Sequence, residues 1–396
     1  MQRIYLDNAS TSFPKPREVA DAVYEYMTQA GSNIGRGGYA STYATENAVF
    51  AARQLLCDFF GGDDLKNVVF MKNVTEALNV LIGGFLHSGE HVLVSSLEHN
   101  AVMRPLQELG RELLPDEDDD TEKLSFTRIP CDDRGELRLD ALPRLLRRNT
   151  RAVLLTHVSN VCGTVQPLRE VGAFCERHGL RFIVDSAQGA GLLPIDMREL
   201  RIDALAFTGH KGLLGPQGVG GFVLRESMVE QVEPLLFGGT GSMSHTERMP
   251  TFMPDKFEAG TLNLPGIIGL VAGVRWLREQ GLQAVLEHEL ELTRRFIEGV
   301  ERLREEVRIV GHSDCVNRTG VVSLDILHQD CARVAQALSE RYGIATRVGL
   351  HCAPNAHKAL GTYPRGTLRF SFGWHNTLEE VEQAVRALQE VLDNGV

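Results

Sequence analysis

A chain of 396 residues exceeds the size at which a single hydrophobic core usually stops growing, so two domains are expected, and 43% hydrophobic with 23% charged residues is ordinary for a protein that folds in water. A formal net charge of −11 without any basic tract excludes nonspecific nucleic-acid binding. No apolar run approaches membrane-spanning length, and MQRIYLDNAS lacks a basic region followed by an apolar core, so a cytoplasmic protein without membrane contact is expected.

Residues 1–13 read as an extended arm, and Pro14 to Pro16 followed by EVADAVYEYM opens a first helix. GSNIGRGGYAST at 31–42 is a glycine-rich loop whose Asn33 and Arg36 are candidates to face a ligand. A helix from about Tyr43 to Phe60 leads to the strand Val68–Met71 and then to a turn, Lys72 to Glu76, that opens the helix EALNVLIGGFL. Thr75 there is either an ordinary helix cap or, with the free N–H groups of the first turn, part of a phosphate site. The strand His91–Ser95 ends in Leu97-Glu98-His99-Asn100, and the run LPDEDDDTE ending at Glu122 is a solvated acidic loop.

Strands and helices then alternate. Strands are expected at Ser125–Ile129, Ala152–Thr156, Arg181–Val184, Ala204–Phe207 and Val219–Leu224, with helices near Leu139–Arg148 and Leu168–His178. This rhythm predicts an α/β fold with a mainly parallel sheet, whose strand ends carry His99, Asn160, Asp185 and Lys211. After Leu235 comes GGTGSMSHTERMPTFMPDKFEAGTLN, a long polar excursion. Helices at Pro265–Gln280 and Gln283–Glu305 lead into a smaller α+β region, with strands near Arg308–Val310, Thr319–Asp325, Thr346–Val348 and Thr367–Gly373 and helices at Cys331–Tyr342 and Thr377–Asn394. The expected division is 1–264, arm and large domain, and 265–396, small domain.

Lys211 lies where an apolar strand gives way to a loop with five glycines in ten residues, which lets backbone N–H groups approach an anion. A lysine after a strand is most simply a solvated surface residue. Asp185, at the end of a second apolar strand, changes that reading. Lysine and carboxylate at two strand ends are what a pyridoxal 5'-phosphate (PLP) site requires, the amine for a covalent link and the carboxylate to keep the pyridine nitrogen protonated. The seven cysteines, Cys57, Cys131, Cys162, Cys175, Cys315, Cys331 and Cys352, are scattered and show no CxxC or zinc-knuckle spacing, so no metal site is expected and most should be small buried hydrophobes.

YLDNAST, NVTEALN, LEHNAVMRP, HVSNVCGT, VDSAQ, FTGHKGLLGPQGVG, FEAGTLN, GLHCAP and TLRFSFGWHNT follow one another over nearly the whole chain. In this order they resemble the class V, fold-type I PLP enzymes and, more narrowly, the cysteine desulfurase and selenocysteine lyase branch of SufS-like type. The resemblance implies that Lys211 holds the cofactor and acts as general base, that Asp185 pairs with the pyridine nitrogen and that Gln188 meets the ring hydroxyl. It implies His99 on the ring face and in proton transfer, Asn160 touching ring or substrate, and a phosphate site of Val74, Thr75, Thr208 and His210. It also implies Thr261 donated to the phosphate across a homodimer interface, so that the active sites are shared, and Arg369, with Arg347 nearby, for the substrate carboxylate.

Cys352 follows Arg347-Val-Gly349-Leu-His351 and is either a structural thiol or the nucleophile, with Arg347 and His351 as polar neighbours that stabilise a thiolate. As nucleophile it would take sulfur from L-cysteine as a persulfide, leave L-alanine, and pass the sulfur, or selenium from L-selenocysteine, to an acceptor protein. A class V aminotransferase or a PLP β-lyase on another small amino acid is the alternative. The chain departs from the branch in a shorter 238–257 segment, in Lys256 where arginine is common and in Thr208 where serine is usual.

Overall fold

The computed structural model describes residues 3–35, 37–117 and 122–395; Arg36 and the centre of the acidic run lie outside the described residues. An eight-stranded sheet forms the larger layer. Across it the strands run Val68–Met71, Gly220–Leu224, Ala204–Thr208, Arg181–Asp185, Thr150–Thr156, His91–Ser95, Leu124–Ile129 and Gly110–Glu112. All neighbours are parallel except at Gly220–Leu224, which is antiparallel to both of its partners.

The central strands are apolar throughout because both faces are covered, and successive residues serve opposite cores. Val153, Leu155, Phe182, Val184, Leu205 and Phe207 pack into one cluster with the helices Ala40–Phe60, Leu168–His178 and Leu264–Gln280. Ala152, Leu154, Ile183, Ala204 and Ala206 pack into the other, against Val74–Phe85 and Asn100–Leu109. This register sends every parallel strand's carboxyl end to one edge, where ligands of open α/β sheets bind.

The smaller sheet is antiparallel, in the order Val307–Val310, Val321–Ile326, Thr367–Ser371, Arg347–Gly349. Its core draws on Leu282–Val300, Cys331–Tyr342 and Leu378–Asn394, with Phe296 packed on Phe370 and Phe372. The arm runs along this layer: Ile4–Tyr5 pairs in parallel with Ile344–Ala345, and Asp7 bridges to Ser371. Among the described residues no helix is long and apolar enough to cross a membrane.

Two expected helices are shorter than their sequence pattern. Leu139–Arg148 is reduced to a 3-10 turn at Leu139–Ala141 and one helical turn at Leu142–Leu145. The chain leaves the helix because the Arg147 N–H donates to Thr150 Oγ1 while its guanidinium reaches the carbonyls of Leu114 and Glu117. The helix after Gln283 ends at Val300, and a 3-10 turn at Glu301–Leu303 leads to the strand Val307–Val310.

Candidate active site

Three strand ends set the base of the site. Asp185 closes its strand 2% exposed, and its Oδ1 accepts one hydrogen bond, from Ala187 N at 2.9 Å. No ion pair reaches it among the described residues. Burial lifts its pKa, opposed by the Ala187 N–H and by Lys211. Lys211 stands just beyond the neighbouring strand Ala204–Thr208. Burial pushes its amine down to about 8; Asp185 opposes this, while Arg369 and Arg347 add to it. A carboxylate buried without a cation beside an amine poised near neutrality fits the ring nitrogen and carbonyl carbon of PLP.

Met71 and Thr208 are both register partners of Gly220, so the turn opening the helix Val74–Phe85 lies beside Thr208-Gly-His210. The close approach requires glycine at 221 too, where a Cβ would stand 1.9 Å from the Val69 carbonyl oxygen. Asn73 caps the helix through Glu76 N, which leaves the N–H groups of Val74 and Thr75 in the first turn. Among the described residues the buried Thr208 hydroxyl finds no hydrogen-bond partner, nor does His210 Nδ1. An unmet donor beside a helix N-terminus is what a phosphate ester would satisfy.

His99 caps the helix Asn100–Leu109, its Nδ1 accepting from Ala101 N at 3.0 Å, so the neutral ring carries its proton on Nε2. Burial, then Lys211 and the arginines 347, 104 and 369, lower its pKa to about 4. His99 is therefore a neutral imidazole near pH 7. The preceding Glu98 is wholly buried, accepts from Ser95 Oγ at 2.5 Å and Thr156 N at 2.8 Å, and burial raises it to about 8.

The smaller sheet supplies the opposite wall. Arg347 and Arg369 are register partners on adjacent strands. Arg369, 2% exposed, donates through Nη1 to the Asn160 carbonyl at 2.9 Å and through Nη2 to Asp7 Oδ1 at 3.0 Å and Ser10 Oγ at 3.2 Å. Its Nε is buried and has no partner among the described residues. Arg347 reaches Ser10 Oγ at 2.5 Å. The Asn160 amide donates to the His351 carbonyl at 2.7 Å, and Asn100 N donates to the Cys352 carbonyl at 2.7 Å. These bonds fasten the loop that carries the thiol.

Cys352 is exposed and free, and it shares a cleft of ≈ 530 Å³ with Thr75, His99 and Arg104. His351 and Cys352 both hold left-handed backbone, φ 48° and 57°, a conformation that costs on the order of 1–3 kcal/mol per non-glycine residue and clusters at functional sites. The turn corrects one expectation. His351 is 4% exposed, its Nε2 meets Thr367 Oγ1 at 3.0 Å, and burial drives its pKa far down, so it brings no positive charge to the thiol.

Lys211 lies within electrostatic reach of Asp185, Arg347, Arg369, Cys352 and His99, the last two sharing the cleft above, and Asn160 is tied to Arg369 and to the His351 carbonyl. Gln188 reaches the same floor, but its amide donates to the Ala9 carbonyl at 3.0 Å. Thr261 does not join them within one chain; it is exposed at a separate opening beside Lys72 and Glu76. The arm, to which the sequence pattern assigns no role, holds several of these groups. Ala9 holds Gln188, Asp7 and Ser10 hold the arginines, and Lys15 Nζ donates to Ser12 Oγ at 2.6 Å and to the His210 carbonyl at 2.7 Å. The local signal for it is the polar run DNASTS, close behind the short apolar strand Ile4–Tyr5.

The chain matches the family model of aminotransferase class-V over residues 4–384. It is 32% identical over 403 residues to a protein of Methanothermobacter thermautotrophicus named "Probable cysteine desulfurase", covering 99% of this chain and 95% of that one. A like-named protein of Aeropyrum pernix is 34% identical over 406 residues, covering 98% and 94%. Among solved structures, an apo cysteine desulfurase from Thermococcus onnurineus NA1 superposes with a TM-score of 0.89 at 32% identity, covering 99% of this chain and 95% of that one. A cysteine desulfurase from Escherichia coli in an S-sulfonic acid form superposes at 0.84 with 28% identity, covering 100% and 96%.

Proposed function

The chain belongs to the class-V aminotransferase family, and from that premise we propose that it is a PLP-dependent cysteine desulfurase, moving the sulfur of L-cysteine onto Cys352 and leaving L-alanine. The observation that carries the reading is Cys352 itself, an exposed free thiol on a backbone turn pinned by Asn100 and Asn160, in the cleft that His99 also lines and within electrostatic reach of the buried Lys211.

Val74, Thr75, Thr208 and His210 are the residues to hold the cofactor's phosphate, Gln188 its ring hydroxyl, and Asp185 the proton on its ring nitrogen. When bound, the cofactor supplies an electron sink for the substrate's Cα. Lys211 holds the group covalently and, once released, takes the Cα proton; an amine near 8 is partly neutral at physiological pH and competent as a base. His99 acts as a neutral ring offering Nε2–H. Arg369 grips the substrate carboxylate through Nε, which has no partner among the described residues, and through Nη2, which Asp7 and Ser10 now hold, with Arg347 beside it. The Cys352 thiolate attacks the substrate sulfur: the S–S bond forms, the C–S bond breaks, and its electron pair stays with the carbon skeleton that is released as alanine.

L-selenocysteine fits the same residues, since its carbon–selenium bond is weaker and its carboxylate identical. A second copy of the chain completes this reading, because Thr261 lies apart from Lys211 within one chain and is free to serve a neighbour's phosphate site. An exposed Cys352 leaves room for an acceptor protein to collect the sulfur.

The test is Cys352→Ala. Removal of a covalent nucleophile should cut alanine production from L-cysteine by roughly 10²-fold or more while the cofactor's absorbance stays, and selenocysteine cleavage should suffer far less. Wild type treated with L-cysteine should carry added sulfur on the peptide bearing Cys352. Unchanged alanine production in the variant would move the assignment to a β-lyase or transaminase, which a keto-acid requirement would identify.

A further inference from the structure

The arm places a carboxylate where the proposed substrate carboxylate must go. Asp7 Oδ1 lies 3.0 Å from Arg369 Nη2, and among the described residues it is the one acidic group ion-paired to either Arg369 or Arg347. Ser10 joins the three: its hydroxyl donates to Asp7 Oδ1 at 2.9 Å and accepts from Arg347 at 2.5 Å and Arg369 at 3.2 Å. The two guanidinium groups sit on directly opposed residues of adjacent strands, an arrangement that like charges disfavour. Asp7 brings their sum from two positive charges to one.

A guanidinium presents a side-on fork, Nε with Nη2, to which a carboxylate binds through both oxygens. In Arg369 the outer leg of that fork is occupied by Asp7 through one oxygen. The inner leg, Nε, is buried and unpartnered. Nη1 is already committed to Asn160. The fork is thus half filled, by a group that is itself still partly accessible, with a side-chain exposure of 20% against 2% for Arg369.

We propose that Asp7 is a stand-in for the substrate carboxylate: it holds Nη2 of Arg369 until substrate binds, yields or shares it when a substrate closes on the Nε–Nη2 fork, and reclaims it as product leaves. The proposal rests on the reading of Arg369 as the carboxylate clamp. Its consequence is counter to that of an ordinary buried ion pair. Asp7 competes with the ligand, so it holds substrate and product affinity below what the two arginines alone would give, and it hastens release of alanine.

The experiment measures L-alanine binding to the cofactor-loaded enzyme by titration calorimetry, together with KM and kcat for L-cysteine. Asp7→Asn keeps the size and the acceptor oxygen but removes the charge; it should tighten alanine binding and lower KM by roughly five- to tenfold, as expected when a repelling unit charge is removed from beside an anion site. Asp7→Glu, which restores the charge, should return both toward wild type, and Asp7→Ser serves if the asparagine variant does not fold. A merely structural role would raise KM or leave it alone. Alanine binding that is unchanged or weaker in a folded, uncharged variant overturns the proposal. Arg369→Met separates the two levels: normal alanine binding there refutes the clamp itself, whereas lost binding there with no gain on removing the Asp7 charge refutes only the stand-in.

Discussion

Replacing Asp185 by asparagine should leave the cofactor-free protein nearly as stable as before and sharply weaken the loaded one. Asp185 is 2% exposed, and among the described residues its side chain accepts one hydrogen bond, from Ala187 N, and pairs with no cation. In the cofactor-free protein the asparagine oxygen keeps the Ala187 bond and the cost of burying a carboxylate disappears. Against that, the new NH2 group lacks an acceptor, a penalty of about 1–3 kcal/mol that offsets the relief, so the apo stability should move by no more than about 1 kcal/mol in either direction. The loaded protein loses a charge-assisted bond to the ring nitrogen inside a buried site, where breaking one partner of such a pair costs about 3–5 kcal/mol, or two decades or more of affinity. A pH dependence accompanies this. The folded pKa of Asp185 is raised, so in the apo protein it binds a proton more readily folded than unfolded, and its contribution to stability is largest in acid and is lost as pH rises through the folded value. Asp185→Asn should remove that loss. Urea unfolding of stripped protein at several pH values, and titration of the stripped protein with PLP followed by absorbance, measure the two halves separately. An apo variant several kcal/mol less stable than wild type, or one with undiminished cofactor affinity, would refute the reasoning.

Glu289 is 5% exposed on the helix Leu282–Val300, and burial raises its pKa to about 8, so the folded state holds a proton there that the unfolded chain releases, and stability falls as pH climbs from the ordinary glutamate range to about 8. Glu289→Gln should therefore gain on wild type over that interval, by on the order of 2–4 kcal/mol between pH 5 and pH 8 in urea titrations, and parallel curves would refute it. Glu258 grips Arg53 with both oxygens, at 2.8 and 2.6 Å, and accepts from Phe70 N at 2.7 Å, with both side chains 7% exposed. Glu258→Gln strands a buried guanidinium and should cost about 3–5 kcal/mol in chemical denaturation, with a loosened path to Thr261; a loss under about 1 kcal/mol would contradict that account.

What was legible in the sequence followed the sheet. His99, Asn160, Asp185 and Lys211 fall together because apolar strands alternating with helices form a mainly parallel, covered sheet, and parallel strands put their carboxyl ends on one edge. The relation needs no knowledge of distant contacts. The arm needed such knowledge: Ser10 and Arg347 are 337 residues apart, and Ala9 and Gln188 are 179 apart. Nothing local in DNASTS says which wall it will touch. Local adjacency also misled, since His351 precedes Cys352 but the left-handed backbone at both residues turns the imidazole inward to Thr367 while the thiol faces out. The helix expected to reach Arg148 failed for a related reason, the side chain of Arg147 finding carbonyls in a loop thirty residues and more away.

The groups that the fold leaves unsatisfied are those that the chemistry needs. The Thr208 hydroxyl, Arg369 Nε and the uncompensated Asp185 carboxylate are each buried, and each lowers the stability of the chain taken alone. Their types differ as the proposed ligand does along its length: a donor for a phosphate, an anion for a protonated ring nitrogen, a guanidinium edge for a carboxylate. A site satisfied entirely within the protein would have no reason to bind anything there. Asp7 then makes sense as the charged part of that satisfaction, placed on the guanidinium by a residue of the arm whose own carboxylate remains one-fifth exposed. The deficit at Asp185 has no such stand-in, which is why the cofactor, rather than the substrate, is expected to dominate the stability of the loaded enzyme.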